Sequence, residues 1–176
     1  ELPFFLFFIK KMMIGFISTD YDRGLSMLKT LIESGDVHSK VEYKGTHQKE
    51  GFYYVGVRQT CGFDEIGPSM QTSFSKLNDL KLSGKIPEPD STISFYHSYD
   101  FVNQKCDYTS AFTFKEKVEA PEGFTSGHIP SHHALQIEHI GDYRFLGNGW
   151  SAAMGNQRSR KLKLKKSIPG YEIYRD

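Results

Sequence analysis

The feature that most constrains this 176-residue chain is a pattern that recurs at an offset of 80 residues. When residues 54–74 are laid on 134–154 without a gap, Val55 falls on Leu135, Val57 on Ile137 and Phe63 on Tyr143. Ile66 then falls on Leu146, Gly67 on Gly147, Met70 on Trp150 and Phe74 on Met154. Almost no residue is identical, so what recurs is the order of apolar and turn positions, the mark of a duplicated supersecondary unit. In each copy a short strand, about 53–60 and 133–140, runs through a glycine-containing turn into an amphipathic helix. The first helix aligns Ile66, Met70, Phe74 and Leu77, and the second Leu146, Trp150, Ala153 and Met154, on the spacing that turns one helical face to a core. Pro68 fits because it falls in the first helical turn.

After the first helix, Pro87–Asp90 breaks the chain and two alternating segments follow. Thr92–Tyr99 places Ile93, Phe95, His97 and Tyr99 on one side, and Tyr108–Phe114 places Tyr108, Phe112 and Phe114 on one side, as half-buried strands do. The second copy offers strand, helix and one further strand at Tyr171–Arg175; its fourth element is missing where the sequence stops at Asp176. The fold expected is α+β: two pseudo-symmetric strand–helix–strand–strand units forming one curved antiparallel sheet, with helices on its convex face and a helical appendage in front.

That appendage is residues 1–34, where Ile17, Leu25, Leu28, Leu31 and Ile32 recur at helical spacing, Asp20 or Asp22 can cap, and Gly35 ends the run. Residues 35–51 are polar and glycine-flanked, which predicts a linker, and the domain proper is expected over 52–176. The apolar run Leu2–Ile9 is cut by Lys10 and Lys11, well short of the roughly 20 residues a spanning helix needs. Those lysines follow the run, where a signal peptide would place its charge ahead of it. Cys61 and Cys106 match no metal or redox spacing and read as free thiols. Together these point to the cytoplasm and away from the membrane. The chain opens on Glu1, which suggests a cut piece of something longer.

With 22 basic and 21 acidic residues, the net charge of +1 draws the chain toward neither nucleic acid nor an anionic surface. The one cationic run is Arg158–Lys166. It follows a helix, whose negative end basic residues offset, and no aromatic residues interleave it, so we expect a solvated loop and no bound nucleic acid. His128, His132, His133 and His139, beside Glu138, are the nearest approach to a metal cluster, but their spacing matches no known ligand set. We expect them at the surface or a pocket rim, with no metal and no cofactor. No Gly-x-Ser-x-Gly elbow is present for a serine nucleophile.

Several stretches together carry a resemblance: Val55–Thr60 followed by Asp64–Pro68, then Gly123–Pro130, then Ile137–Tyr143 with Leu146, Gly147 and Trp150, and finally Pro169–Tyr174. Over residues 52–176 the chain resembles the GyrI-like, or AraC-type effector-binding, domain. The resemblance implies two strand–helix–strand–strand units with a ligand cleft between them, and a role in sensing or sequestering a small organic molecule. Some branches of that family are modulators that bind a protein, and others hydrolyse cyclopropane-containing toxins, so both remain as alternatives. The stretch Asp20–Lys29 is similar to the last helix of START-like lipid-binding folds. On that likeness residues 1–34 would be an orphaned helix whose apolar face, from Phe4 to Ile17, packs back on the domain or on a second copy of the chain.

The candidate ligand-binding residues are Glu172, Tyr174, Trp150, Tyr54 and Tyr96. The ten tyrosines suit a pocket that stacks flat or cationic molecules. Trp150 is either core or cleft wall. Glu172 matches the position at which multidrug-binding members of the resembled family place an acidic residue. Alternation pairs Glu172 with Tyr174 on one face of the last strand; with Ile173 turned to the helices, Glu172 would face the concave side. The alternative for Glu172 is an exposed strand residue paired with a lysine such as Lys161 or Lys163.

Overall fold

The computed structural model describes the backbone of residues 7–175 and the side chains of residues 14, 17, 18 and 20–175. In chain order the elements are α1 (Phe7–Ser34), β1 (Ser39–Lys49), β2 (Phe52–Gly62), α2 (Ile66–Leu82), β3 (Ser91–Asp100), β4 (Lys105–Phe114), β5 (Thr125–Ile129), β6 (His132–Gly141), α3 (Gly147–Ser159) and β7 (Gly170–Tyr174). Each of α2 and α3 is preceded by a three-residue 3₁₀ turn, Phe63–Glu65 and Tyr143–Phe145, at the same offset as the sequence repeat. The α+β class expected from the pattern is the class observed.

The strands are hydrogen-bonded as two antiparallel sheets, where one had been expected: a sheet of five in the order β5-β2-β4-β3-β7, and the pair β1-β6. The chain correspondingly divides into two compact units. One comprises the chain up to Lys49 together with residues 132–165; the other comprises residues 50–131 and the chain from Lys166 on.

In the five-stranded unit the sheet is apolar on both faces. Val55, Val57, Phe112 and Phe114 pack with Leu77 and Leu80 of α2, and with Ile86, on one face. Ile93, Phe95, Ala111 and Ile129 gather Phe52, Tyr54, Ile168 and Tyr171 on the other. Burial of each large side chain contributes about 1.5–3 kcal/mol relative to exposure. The helix forms because Phe74, Leu77 and Leu80 fall on the face that meets the sheet, while Ser73 satisfies its buried hydroxyl on the Ser69 carbonyl, one turn back.

Two strands escaped the sequence pattern. Residues 39–49, expected within the linker, form β1, which pairs with β6 along its length. Most of its side chains are polar, and a cross-strand ion pair, Lys44 Nζ to Glu138 at 2.8 Å, adds to the backbone ladder that holds it. The alternation is further broken by a bulge at Tyr43/Gly45, where Gly45 has φ +95°. β5 is a five-residue edge strand with little apolar content. The Tyr54 ring lies close over its Gly127, where a Cβ would stand 2.5 Å from the hydroxyl oxygen and the ring would have to shift.

Two further expectations need correction. β7 does not continue the second copy: it pairs with β3, joining Ile93 to Ile173 and Ser94 to Glu172. Of the face expected for α3, Leu146, Trp150 and Ala153 are partly buried but Met154 is exposed, and the buried position within α3 is Gly149. The last residue of the preceding 3₁₀ turn, Phe145, is fully buried.

Within the smaller unit α1 touches its neighbours through polar groups. The Arg23 guanidinium donates to Ser151 Oγ at 3.1 Å, and Asn148 Nδ2 approaches Met27 Sδ at 3.4 Å. Ile14, Ile17, Tyr21, Leu25, Leu28, Leu31 and Ile32 are exposed, so these side chains do not pack back on the domain. Of the expected apolar face from Phe4 to Ile17, only the side chains of Ile14 and Ile17 are among those described, and the rest lie outside them.

Candidate functional site

β7 is an edge strand, and its pairing with β3 decides which way Glu172 points. Tyr174 meets the Phe74 ring edge-on at 5.7 Å and places its hydroxyl 3.8 Å from Met70 Sδ, so it lies on the α2 side of the sheet. Glu172, two residues back, shares that side. Tyr171 packs on the opposite face, edge-on to Phe52 at 6.1 Å and Phe95 at 6.2 Å, and Ile173 is exposed. The premise that Ile173 faces the helices therefore fails. Glu172 and Tyr174 keep the shared face expected of them, but it is the helix face.

There the Tyr96 hydroxyl donates to Glu172 Oε2 at 2.7 Å and the Tyr174 hydroxyl donates to the same oxygen at 2.7 Å. The Tyr96 ring stacks on Tyr99 at 5.7 Å and 16°, and Tyr99 stacks on Phe101 at 5.8 Å and 22°, with Phe63 set edge-on to both. Burial raises the pKa of Tyr96 far above its usual value, and the neighbouring Glu172 charge adds to the rise. Burial followed by the same carboxylate raises Tyr174. Burial also raises Tyr99, with Cys106 and then Glu172 adding to it. The two phenols that meet Glu172, Tyr96 and Tyr174, are thus held as hydrogen-bond donors.

Beside this group are two hydroxyls without partners. Ser94, level with Glu172 on β3, and Ser110, level with Ser94 on β4, are fully buried, and neither Oγ makes a hydrogen bond. Ser94 lies close enough to the Tyr174 hydroxyl to lower its pKa as a weak hydrogen bond does, although the contact falls short of full hydrogen-bond geometry. A buried unsatisfied hydroxyl costs about 1–3 kcal/mol, and these two stand in one row level with Glu172 on the adjacent strands.

The structure brings together Glu172, Tyr174 and Tyr96 of the candidate residues. Tyr54 stands apart on the opposite face, 4.8 Å from the Phe95 ring, because Val55 and Val57 take the helix side and alternation sends Tyr54 the other way. Trp150 belongs to α3 of the other unit, where it is partly buried. Sequence reasoning missed Tyr99 as a partner of Tyr96: three positions apart, the two would alternate to opposite faces, but a bulge between Tyr96 and Ser98 returns them to one. Met70 and Phe74, expected as core, also border the site. The displaced residue of the bulge, His97, joins its ring to Thr109 Oγ1 at 2.8 Å.

Among the described residues no three His, Cys, Asp or Glu side chains converge as metal ligands would, and no helix is long and apolar enough to cross a membrane. In the basic run, the Arg160 guanidinium lies 4.4 Å over the Tyr43 ring of β1.

This fold has counterparts of known structure. A chain of the EcmrR–DNA complex determined by cryo-electron microscopy in EcmrR-RPo superposes with a TM-score of 0.61 at 14% identity, covering 93% of this chain and 60% of that one. The present chain thus spans less than two thirds of that protein. An integron cassette protein from the mobile metagenome of Vibrio cholerae gives a TM-score of 0.49 at 13% identity over 78% of this chain and 92% of the other. A protein assigned to bacterial transcription regulation in Staphylococcus aureus MU50 gives 0.49 at 17% over 77% and 87%. No curated protein matches the sequence. The family model of the GyrI-like small molecule binding domain matches residues 47–176, most of the chain, and the chain belongs to that family.

Proposed function

We propose that the five-stranded unit binds an organic cation with an aromatic body, on the α2 side of its sheet, as an effector-sensing or sequestering module in the cytoplasm. The observation that carries this reading is the Glu172 carboxylate, held by two tyrosine hydroxyls among aromatic rings. A carboxylate so placed attracts a cation more strongly than one in open water, because the surrounding rings lower the local dielectric. Tyr96, Tyr99, Phe74 and Tyr174 supply faces and edges for a flat or branched aromatic group, and Met70 adds a deformable wall. Membership of a small-molecule-binding family supports the reading.

Tetraphenylphosphonium is a suitable probe, with the neutral triphenylphosphine oxide as its control. By mass action the cation should raise the melting temperature progressively with concentration, and the neutral control should do so far less. Glu172→Gln should remove most of that difference. Equal shifts from both molecules, or none from either across a panel of lipophilic cations, would overturn the proposal.

A further inference from the structure

Cys61 and Cys106 were legible only as two isolated thiols 45 residues apart. The structure makes them direct neighbours across the β2–β4 ladder, in register between the pairs Thr60–Asp107 and Gly62–Lys105. Residues directly opposite on antiparallel strands project to the same face. The register continues to Phe63 and Gln104, whose backbone N–H and C=O are bonded at 2.9 Å. Because bonded and non-bonded pairs alternate along such a ladder, Cys61–Cys106 is again a bonded pair, with Cα atoms about 5.5 Å apart. That falls inside the roughly 4.4–6.8 Å that a disulfide spans, while the Cβ atoms of a bonded pair stand somewhat wider than the roughly 3.5–4.5 Å of a relaxed bridge, so closing it requires a small local shift of the two strands and leaves a bond that is readily reduced.

The two sulfurs differ in access. Cys106 is fully buried and Cys61 is partly exposed. Burial, with the nearby Cys61 as the next contribution, pushes the Cys106 thiol up to about 12, so the partly exposed Cys61 is the one suited to meet an oxidant first. On its other side Cys106 faces Tyr99 of β3 in register, at the foot of the stack that leads to Tyr96 and Glu172.

We propose that Cys61 and Cys106 form a redox-active dithiol which peroxide converts to a cross-strand disulfide beside the Tyr96–Tyr99 stack. In the first step the Cys61 sulfur attacks one peroxide oxygen; the O–O bond breaks, leaving a sulfenic acid and one water. In the second the Cys106 sulfur attacks the Cys61 sulfur; the S–S bond forms, the S–O bond breaks, and hydroxide leaves with the Cys106 proton as a second water. Two thiols are oxidised by two electrons and one peroxide is reduced to two waters. This chemistry is independent of ligand binding.

The test uses the full chain, reduced, freed of reductant and held dilute to suppress reaction between molecules. After one equivalent of hydrogen peroxide, the protein is unfolded in excess N-ethylmaleimide and its intact mass measured. The expected product is a monomer lacking both maleimide additions, about 2 Da lighter than the reduced chain because two hydrogens are lost, with one peptide linking Cys61 to Cys106. Cys106→Ser should instead leave Cys61 as a sulfenic acid that dimedone traps, and Cys61→Ser should leave the buried Cys106 unoxidised. Wild-type protein in which Cys61 is over-oxidised while Cys106 still takes up maleimide, or in which disulfides form only between chains, would overturn the proposal.

Discussion

At the residue scale, the site depends on protons that stay in place. Tyr96 and Tyr174 both have folded-state pKa values above the unfolded value of about 10. A raised value means the folded state keeps its proton longer, so this contribution to stability is complete below about pH 10 and is lost as pH rises further. Absorbance titration of the ten tyrosines should therefore show a fraction that ionises only as the protein unfolds, and Tyr96→Phe should shrink that fraction. If every tyrosine titrates near pH 10 with the fold intact, the burial of Tyr96 is wrong. Glu172→Gln keeps an acceptor for at least one phenol and should fold. Its expected cost is to ligand affinity, about 1.5–3 kcal/mol for a cationic probe measured by calorimetry, the range for a charge-assisted hydrogen bond. Unchanged affinity would leave Glu172 as a structural acceptor for Tyr96 and Tyr174 with no part in binding. Alternation in Tyr171–Tyr174 was enough to join Glu172 to Tyr174. It could not say which face they share, because Ile173 is exposed and Tyr171 packs away from α2.

At the element scale, the strands that announced themselves were those with apolar alternation, and those that did not are held by pairing. β2, β3, β4, β6 and the two helices after the 3₁₀ turns followed the repeat, whereas β1 is polar and stands as a strand through its partner β6. Its ion pair Lys44–Glu138 has no signature in either segment alone. The same holds on the five-stranded sheet, where Arg58 of β2 grips Asp107 of β4 through Nε at 2.9 Å and Nη2 at 2.6 Å. The Arg58 hydrogen bonds hold the Asp107 carboxyl below its usual range, and a depressed acid contributes stability above its unfolded pKa that is lost as pH falls through the folded one. His97, on the same face, is lowered by burial and by Arg58, so it too contributes above its usual value and opposes folding once protonated in acid. Asp107→Asn should thus destabilise the protein at pH 7 by no more than about 1 kcal/mol, since Arg58 is exposed, and should flatten the stability curve below pH 4. Chemical denaturation at pH 7 and at pH 3 distinguishes the two limits; an equal loss at both would mean that packing, not charge, is responsible.

At the scale of the whole chain, an 80-residue repeat fixes what the elements are but not which of them pair. Strand partners are a long-range property: β7 finds β3, and β6 finds β1, across separations over which a local pattern carries no information. The repeat therefore predicted one sheet where hydrogen bonding gives two, and it left α1 outside the pattern altogether. Among the described residues, that helix presents a row of exposed apolar side chains. Ile14, Ile17, Tyr21, Leu25, Leu28 and Leu31 follow one another at three- and four-residue steps and are all exposed, between 47% and 68%. Contiguous apolar stripes of this kind are rarely left in water by soluble monomers, and a stripe at such spacing on a 28-residue helix is self-complementary, because an identical helix offers matching knobs and holes. Association of the chain with itself through α1 is the expected outcome, visible as sedimentation coefficients that rise with protein concentration. Leu25→Lys with Leu28→Lys places two charges in the middle of the stripe at positions where no buried packing is lost, so helicity by circular dichroism should be retained while the association weakens at least tenfold. Wild-type chain that sediments as a monomer at every concentration, or a double variant that associates as strongly as wild type, would show that this stripe is not the surface through which copies meet.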